Sequence, residues 1–196
     1  MEHNNRPKII LGINPGARYI GVALFHGAVL RDWSVKVIKG EWSKEKMDKI
    51  KNIVSGIIER YQPDVLAIKK HHPARSSDNV DQLVEELKNL AADKKLPIFE
   101  YPIKDVEAFL SPTKKVNKYK LAALMAARYS ELFSEWEREK KKKEKKEKDQ
   151  NGKNSENNYS MYYMRMFEAV FVAYVCFRQL DRHSMTGDMI YREEVE

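Results

Sequence analysis

Between residues 8 and 38 the chain carries three β-favouring runs separated only by short turns, and this opening restricts everything that follows. Residues 8–14 (KIILGIN) form a short apolar run closed by Pro15-Gly16, which is strong turn chemistry, so the run reads as a buried strand. Residues 19–25 come next, then His26-Gly27, then residues 28–38, with Val29, Trp33, Val35 and Val37 in β-favouring stretches. Links this short can join only antiparallel neighbours, because a parallel return needs a crossover of roughly a dozen residues. The chain therefore opens as an antiparallel meander.

The pattern then changes period. Ser43 is a helix N-cap, and Met47, Ile50, Ile53, Val54, Ile57 and Ile58 recur at helical spacing up to Tyr61, before Pro63. Residues 64–69 (DVLAIK) read as a buried strand, and residues 80–94 as a helix with Val80, Leu83, Val84, Leu87 and Leu90 on one face. Residues 98–101 form a short strand. Strand, helix, strand is the order of a parallel crossover unit. Residues 117–136 read as one helix, and a strongly apolar helix over about 160–180 closes the chain. Its most apolar part, 166–177, is too short to span a membrane and carries Glu168, so it is a core helix.

With 196 residues, one domain is expected over 1–182, with a short tail at 183–196. The run at 138–158 has almost no apolar residue and is expected to be extended helix or disordered, an insertion in the domain. Residues 135–149 hold eight Lys or Arg against six Asp or Glu, the mixture of a solvated helix extension, although the whole chain is at +7. That excess suggests an anionic partner. The polar start at residues 1–7 gives no signal-peptide pattern, so the expected location is cytoplasmic, with no membrane partner. Cys176 is the single cysteine; neither a disulfide framework nor a cysteine-based zinc site can be built within one chain, and buried packing is its expected role.

Certain residues carry a family likeness. Gly12-Ile13-Asn14-Pro15-Gly16 followed by Gly21 resembles the first-strand motif of the RuvC-like Holliday junction resolvases, Gly-x-Asp-x-Gly-x-x-x-x-Gly, with Asn14 in place of the acid. Residues 64–69 resemble that family's fourth strand, whose Ala-Ile-Glu has its acid where Lys69 stands. Pro97-Ile98 with Glu100-Tyr101 is similar to the fifth strand. Glu168-Ala169 with Ala173 resembles the closing helix, with Arg165 at the position of a second acid. The likeness runs from residue 8 to about 180 apart from the charged run. It implies an α/β, RNase H-like fold: a mixed five-stranded sheet, three antiparallel strands then two parallel, flanked by helices.

The resemblance also implies chemistry. Its members cut phosphodiesters with two Mg²⁺ held by convergent acids, a task for hard anionic oxygen ligands. Carried over residue by residue, the tetrad is Asn14, Lys69, Arg165 and Glu168, which leaves one acid of four and two cations at ligand positions. The expected protein is thus a non-catalytic binder of nucleic acid, branched or duplex DNA, with no metal cofactor. The resemblance implies a homodimer. Candidate phosphate contacts are Lys69, Arg75, Lys114, Lys115, Lys118, Lys120 and Arg165.

Other readings stay open. Glu168 with Glu100, Asp78 or Asp105 could form a relocated Mg²⁺ site in an active endonuclease. A protein-interaction scaffold without a nucleic-acid role is a further alternative, and the glycine motif also resembles the phosphate loop of actin-like ATPases, which need two such domains. His71-His72 points two ways at once, as adjacent residues do, and is not expected to ligate a metal. Tyr159, Tyr162 and Tyr163 read as the amphipathic entry of the last helix in preference to a stacking platform.

Overall fold

A computed structural model describes residues 7–148 and 162–186. The meander forms as expected: β1 (Ile9–Asn14), β2 (Tyr19–His26) and β3 (Val29–Val37) are antiparallel neighbours. After α1 (Lys44–Tyr61), β4 (Val65–Lys70) returns parallel to β1, and β5 (Ile98–Pro102) follows α2 (Asp78–Asp93) to lie parallel to β4. The sheet order is β3-β2-β1-β4-β5, which puts β1 at the centre. Ser43 caps α1, its hydroxyl accepting from the Lys46 backbone N–H at 3.2 Å.

Alternation along the strands gives the sheet two unlike faces. Leu11, Ile13, Ile20, Val22, Leu24, Leu66 and Ile68 point to one side and pack with Ile50 and Val54 of α1 and Leu83 and Leu87 of α2. Ile10, Ala23, Phe25, Val65, Ala67 and Tyr101 point to the other, against α6 (Tyr162–Thr186). Helix α6 is buried almost all round: Phe167, Ala169, Val170, Phe171, Val172 and Ala173 are all 0% exposed. It lies between the sheet and a further layer of α3 (Ile103–Leu110), α4 (Lys118–Arg128) and α5 (Phe133–Lys148), as a helix apolar on every side must. Cys176 is buried there, and burial pushes its thiol up to about 12. Among the described residues no helix is long and apolar enough to cross a membrane.

One expectation needs correction, and one element was missed. Residues 117–136 are not one helix: α4 ends at Arg128, Tyr129 is extended (φ −122°, ψ 96°), and a 3₁₀ turn at Ser130–Leu132 leads into α5. The break has a packing cause. Tyr129 sits edge-on to Phe25, donates its hydroxyl to the Ala28 carbonyl at 3.1 Å, and lets Leu132 reach the core. Helix α3 was not foreseen, though Pro102 before Ile103, Val106 and Leu110 is a start signal followed by helical spacing. The charged run is helical as far as Lys148, the first of the two alternatives for it; residues 149–158 lie outside the described residues, as does Tyr159. Helix α6 runs to Thr186, and residues 187–196 are not described.

Candidate functional site

The glycine motif seats a helix. A side chain at Gly21 would collide with the backbone of Arg165 and lie 2.8 Å from the Met166 nitrogen, and one at Gly12 would collide with the Ala169 carbonyl and lie 2.7 Å from the Ala173 methyl. Both glycines face α6, and without a Cβ they let its backbone rest directly on β1 and β2. That close approach brings Arg165 and Glu168 of α6 to the carboxyl end of the central strand.

Asn14 ends β1 on the same face as Gly12, two residues on. One step past the Ile13–Ile68 pair, Lys69 of β4 comes beside it. The four positions derived from the family likeness therefore converge. Asn14, 0% exposed, donates its amide to Glu168 Oε2 at 2.7 Å and to the Arg165 carbonyl at 3.3 Å. Lys69 Nζ lies 2.6 Å from the same Glu168 oxygen, an ion pair whose side chains are only 13% and 8% exposed. Arg165 Nη1 donates to Asn14 Oδ1 at 3.2 Å and to the Pro15 carbonyl at 3.1 Å.

His71 completes the cluster, which the sequence reading did not anticipate. Two residues beyond Lys69 it points the same way, and its Nε2 lies 3.3 Å from Arg165 Nη1. A guanidinium can only donate, so Nε2 accepts and the proton sits on Nδ1. That nitrogen is buried and has no hydrogen-bond partner among the described residues. Burial, reinforced by the Lys69 and Arg165 charges, pushes His71 down to about 4, so it is neutral at pH 7. His72 turns the other way, its Nδ1 accepting from the Ala74 backbone N–H at 3.2 Å.

Burial also lowers the proton affinity of Lys69 and Arg165, while Glu168 opposes it for both. The cluster holds two cations and one carboxylate, a net single positive charge. This donor set does not suit Mg²⁺. The one acid is already engaged by Lys69 and Asn14. A cation brought within about 4 Å of Lys69 or Arg165 meets repulsion of roughly 4 kcal/mol per unit-charge pair at an effective dielectric near 20. Among the described residues no three His, Cys, Asp or Glu side chains group to hold a metal ion.

The proposed substitute acids lie elsewhere. Glu100 pairs with Ile68 in the sheet register and so points to the α1–α2 face, where Lys88 binds it. Asp78 and Asp105 are exposed on α2 and α3. Of the candidate phosphate contacts, Lys118 lies close enough to Lys69 to lower its proton affinity. Lys114 and Lys115 are exposed in the loop before α4, and Lys120 is exposed in its first turn. Arg75 closes a 3₁₀ turn after β4. Tyr162 packs edge-on against Tyr19 (5.7 Å) and Tyr163 (4.8 Å), so both rings are engaged in seating α6.

The family model for the crossover junction endodeoxyribonuclease RuvC matches residues 10–135. No protein of curated function matches the sequence. Among solved structures, Thermus thermophilus RuvC in complex with a Holliday junction substrate is similar with a TM-score of 0.62 at 16% identity, over 88% of this chain and 94% of that one. The fowlpox virus resolvase in complex with substrate Holliday junction DNA has a TM-score of 0.50 at 15% identity, over 88% of this chain and 98% of that one.

Proposed function

The chain belongs to the crossover junction endodeoxyribonuclease RuvC family, and we propose that it binds branched DNA at this cleft without cutting it. The observation that carries the reading is the Lys69 ammonium on Glu168 at 2.6 Å: a fixed cation stands against the one acid that remains. Two of the three Lys69 N–H donors are left over, as are most of the five of Arg165, and a phosphate oxygen is a fitting acceptor for them. Lys114, Lys115, Lys118 and Lys120 then extend the positive surface along the strand that enters the cleft. Both similar structures named above hold Holliday junction DNA, which supports a junction as the partner. A homodimer would present two such clefts to the symmetric arms of a junction.

The test is binding and cleavage on junction, duplex and single-stranded DNA. The expected result is junction binding in EDTA, with log K falling linearly as log salt rises, and intact strands in Mg²⁺ or Mn²⁺. Mg²⁺-dependent cleavage lost in Glu168→Gln would overturn the proposal. Binding indifferent to salt would favour a protein-interaction scaffold instead.

A further inference from the structure

Helix α5 has a use that its mixed composition conceals. Once the helix is in place its charges separate. Residues 140–148 hold seven lysines against two glutamates, a net +5 in nine residues of a chain whose total is +7. The acids Glu135, Glu137 and Glu139 precede them, so the helix is acidic toward its N-terminus and basic at its C-terminus, as the macrodipole favours. This arrangement explains how a segment with almost no apolar residue is helical.

The helix is anchored on the first turn of α6. Leu132 is fully buried just before it, and Trp136 packs against the core. Glu139 is 1% exposed and accepts from the Tyr163 backbone N–H at 3.2 Å, while Arg138 donates to the Tyr163 hydroxyl at 2.8 Å. Tyr163 is the second residue of α6, two before Arg165 in the cleft. Helix α5 thus meets the first turn of α6 at Glu139 and continues for nine residues, about 13 Å at 1.5 Å per residue. Lys140, Lys141 and Glu144 are exposed on that extension.

We infer that the helical extension of α5 beyond Glu139, an arm with Lys140 and Lys141 as its exposed cations, contacts the phosphates of a bound DNA duplex, an inference that rests on the DNA-binding reading above. The partner follows from charge and place. The segment offers no apolar face for a membrane surface, and the turn before it holds the first turn of α6, the helix that carries Arg165.

The experiment compares two variants with equal loss of charge, Lys140→Gln/Lys141→Gln on the arm and Lys49→Gln/Lys95→Gln on the exposed far helical layer, in fluorescence binding to a junction with arms longer than the cleft. The expected result for the arm variant is a tenfold or greater loss of affinity near 0.1 M salt and a salt slope shallower by about 1–2, since each phosphate contact contributes about 0.9. The control variant should bind within about twofold of wild type, and both should melt with wild type because the substituted residues are exposed. Equal losses in the two variants, or an unchanged salt slope in the arm variant, overturn the arm. Equal arm-dependent binding to phosphatidylserine vesicles, with DNA affinity untouched, overturns it too. Absence of DNA binding by the wild type instead overturns the underlying reading, and the two failures are distinguishable.

Discussion

The two faces of the sheet solve the same packing problem by opposite means. Toward α1 and α2 the strands present Leu11, Ile13, Val22, Leu24, Leu66 and Ile68, and the helices stand off at the distance those side chains set. Toward α6 the strands present glycine at 12 and 21, and the helix backbone comes down onto the sheet. The first arrangement can absorb small changes of side chain. The second cannot, because a backbone has nowhere to rotate to, and that rigidity delivers Arg165 and Glu168 to Asn14 and Lys69.

The largest effect that would break this comparison is at Gly21. Gly21→Val drives carbons into the Arg165 carbonyl and should cost well over about 3 kcal/mol, the upper end of ordinary overpacking. Chemical denaturation, or simple failure to recover folded protein, reads it out. A loss under about 1 kcal/mol would mean that α6 does not rest on the strand.

Next comes the buried ion pair. Glu168→Ala leaves Lys69 and Arg165 without their carboxylate, and breaking such a pair costs about 3–5 kcal/mol. The same change frees both cations, so the folded fraction should bind DNA more tightly than wild type. Urea titration and binding at low temperature measure the two effects separately.

A smaller effect comes from His71. Its pKa falls from 6.5 to about 4 on folding, so between those values the unfolded chain holds a proton that the folded chain lacks. Stability should therefore be full above about 6.5, fall as pH drops toward 4, and flatten below. Allowing for partial exposure, the loss is about 2 kcal/mol. In His71→Gln that component of the pH dependence should vanish, as the difference between the two denaturation curves at pH 4.5 and 7 will reveal.

The smallest effect sharpens the contrast with the same residue type on the other side. Gly56 lies inside α1, and apart from its chain neighbours and its own helix's backbone a Cβ there would meet no heavy atom within 4 Å among the described residues. Gly56→Ala should stabilise the protein by about 0.5–1 kcal/mol, through helix propensity and a less flexible unfolded chain. Thermal melting would expose the opposite sign, and with it an unseen neighbour.

What the sequence made legible follows the same division. The strands and α1 were readable because alternation and helical spacing are local, and Ser43 announced its helix. The convergence of Asn14, Lys69, Arg165 and Glu168 was readable only through the order of motifs, since 154 residues separate Asn14 from Glu168. The break at Tyr129 was not readable: no Gly or Pro marks it, and contacts with Phe25 and Ala28 decide it. His71 was within reach, because it lies one residue past the end of the strand that carries Lys69 to the cluster. The charged run left helix and disorder both open, because counting charges over 135–149 averages away their separation along a helix.

The central claim is that Lys69 and Arg165 stand at positions where the family likeness implies metal-ligating acids. Calorimetric titration of Mg²⁺ and Mn²⁺ into the wild type and into Asn14→Asp/Lys69→Glu/Arg165→Asp, with Glu168 kept, tests it most directly. The predicted result is no measurable binding by the wild type and saturable binding by the triple variant, in which four carboxylates converge. Tight, stoichiometric Mg²⁺ binding by the wild type would contradict the account.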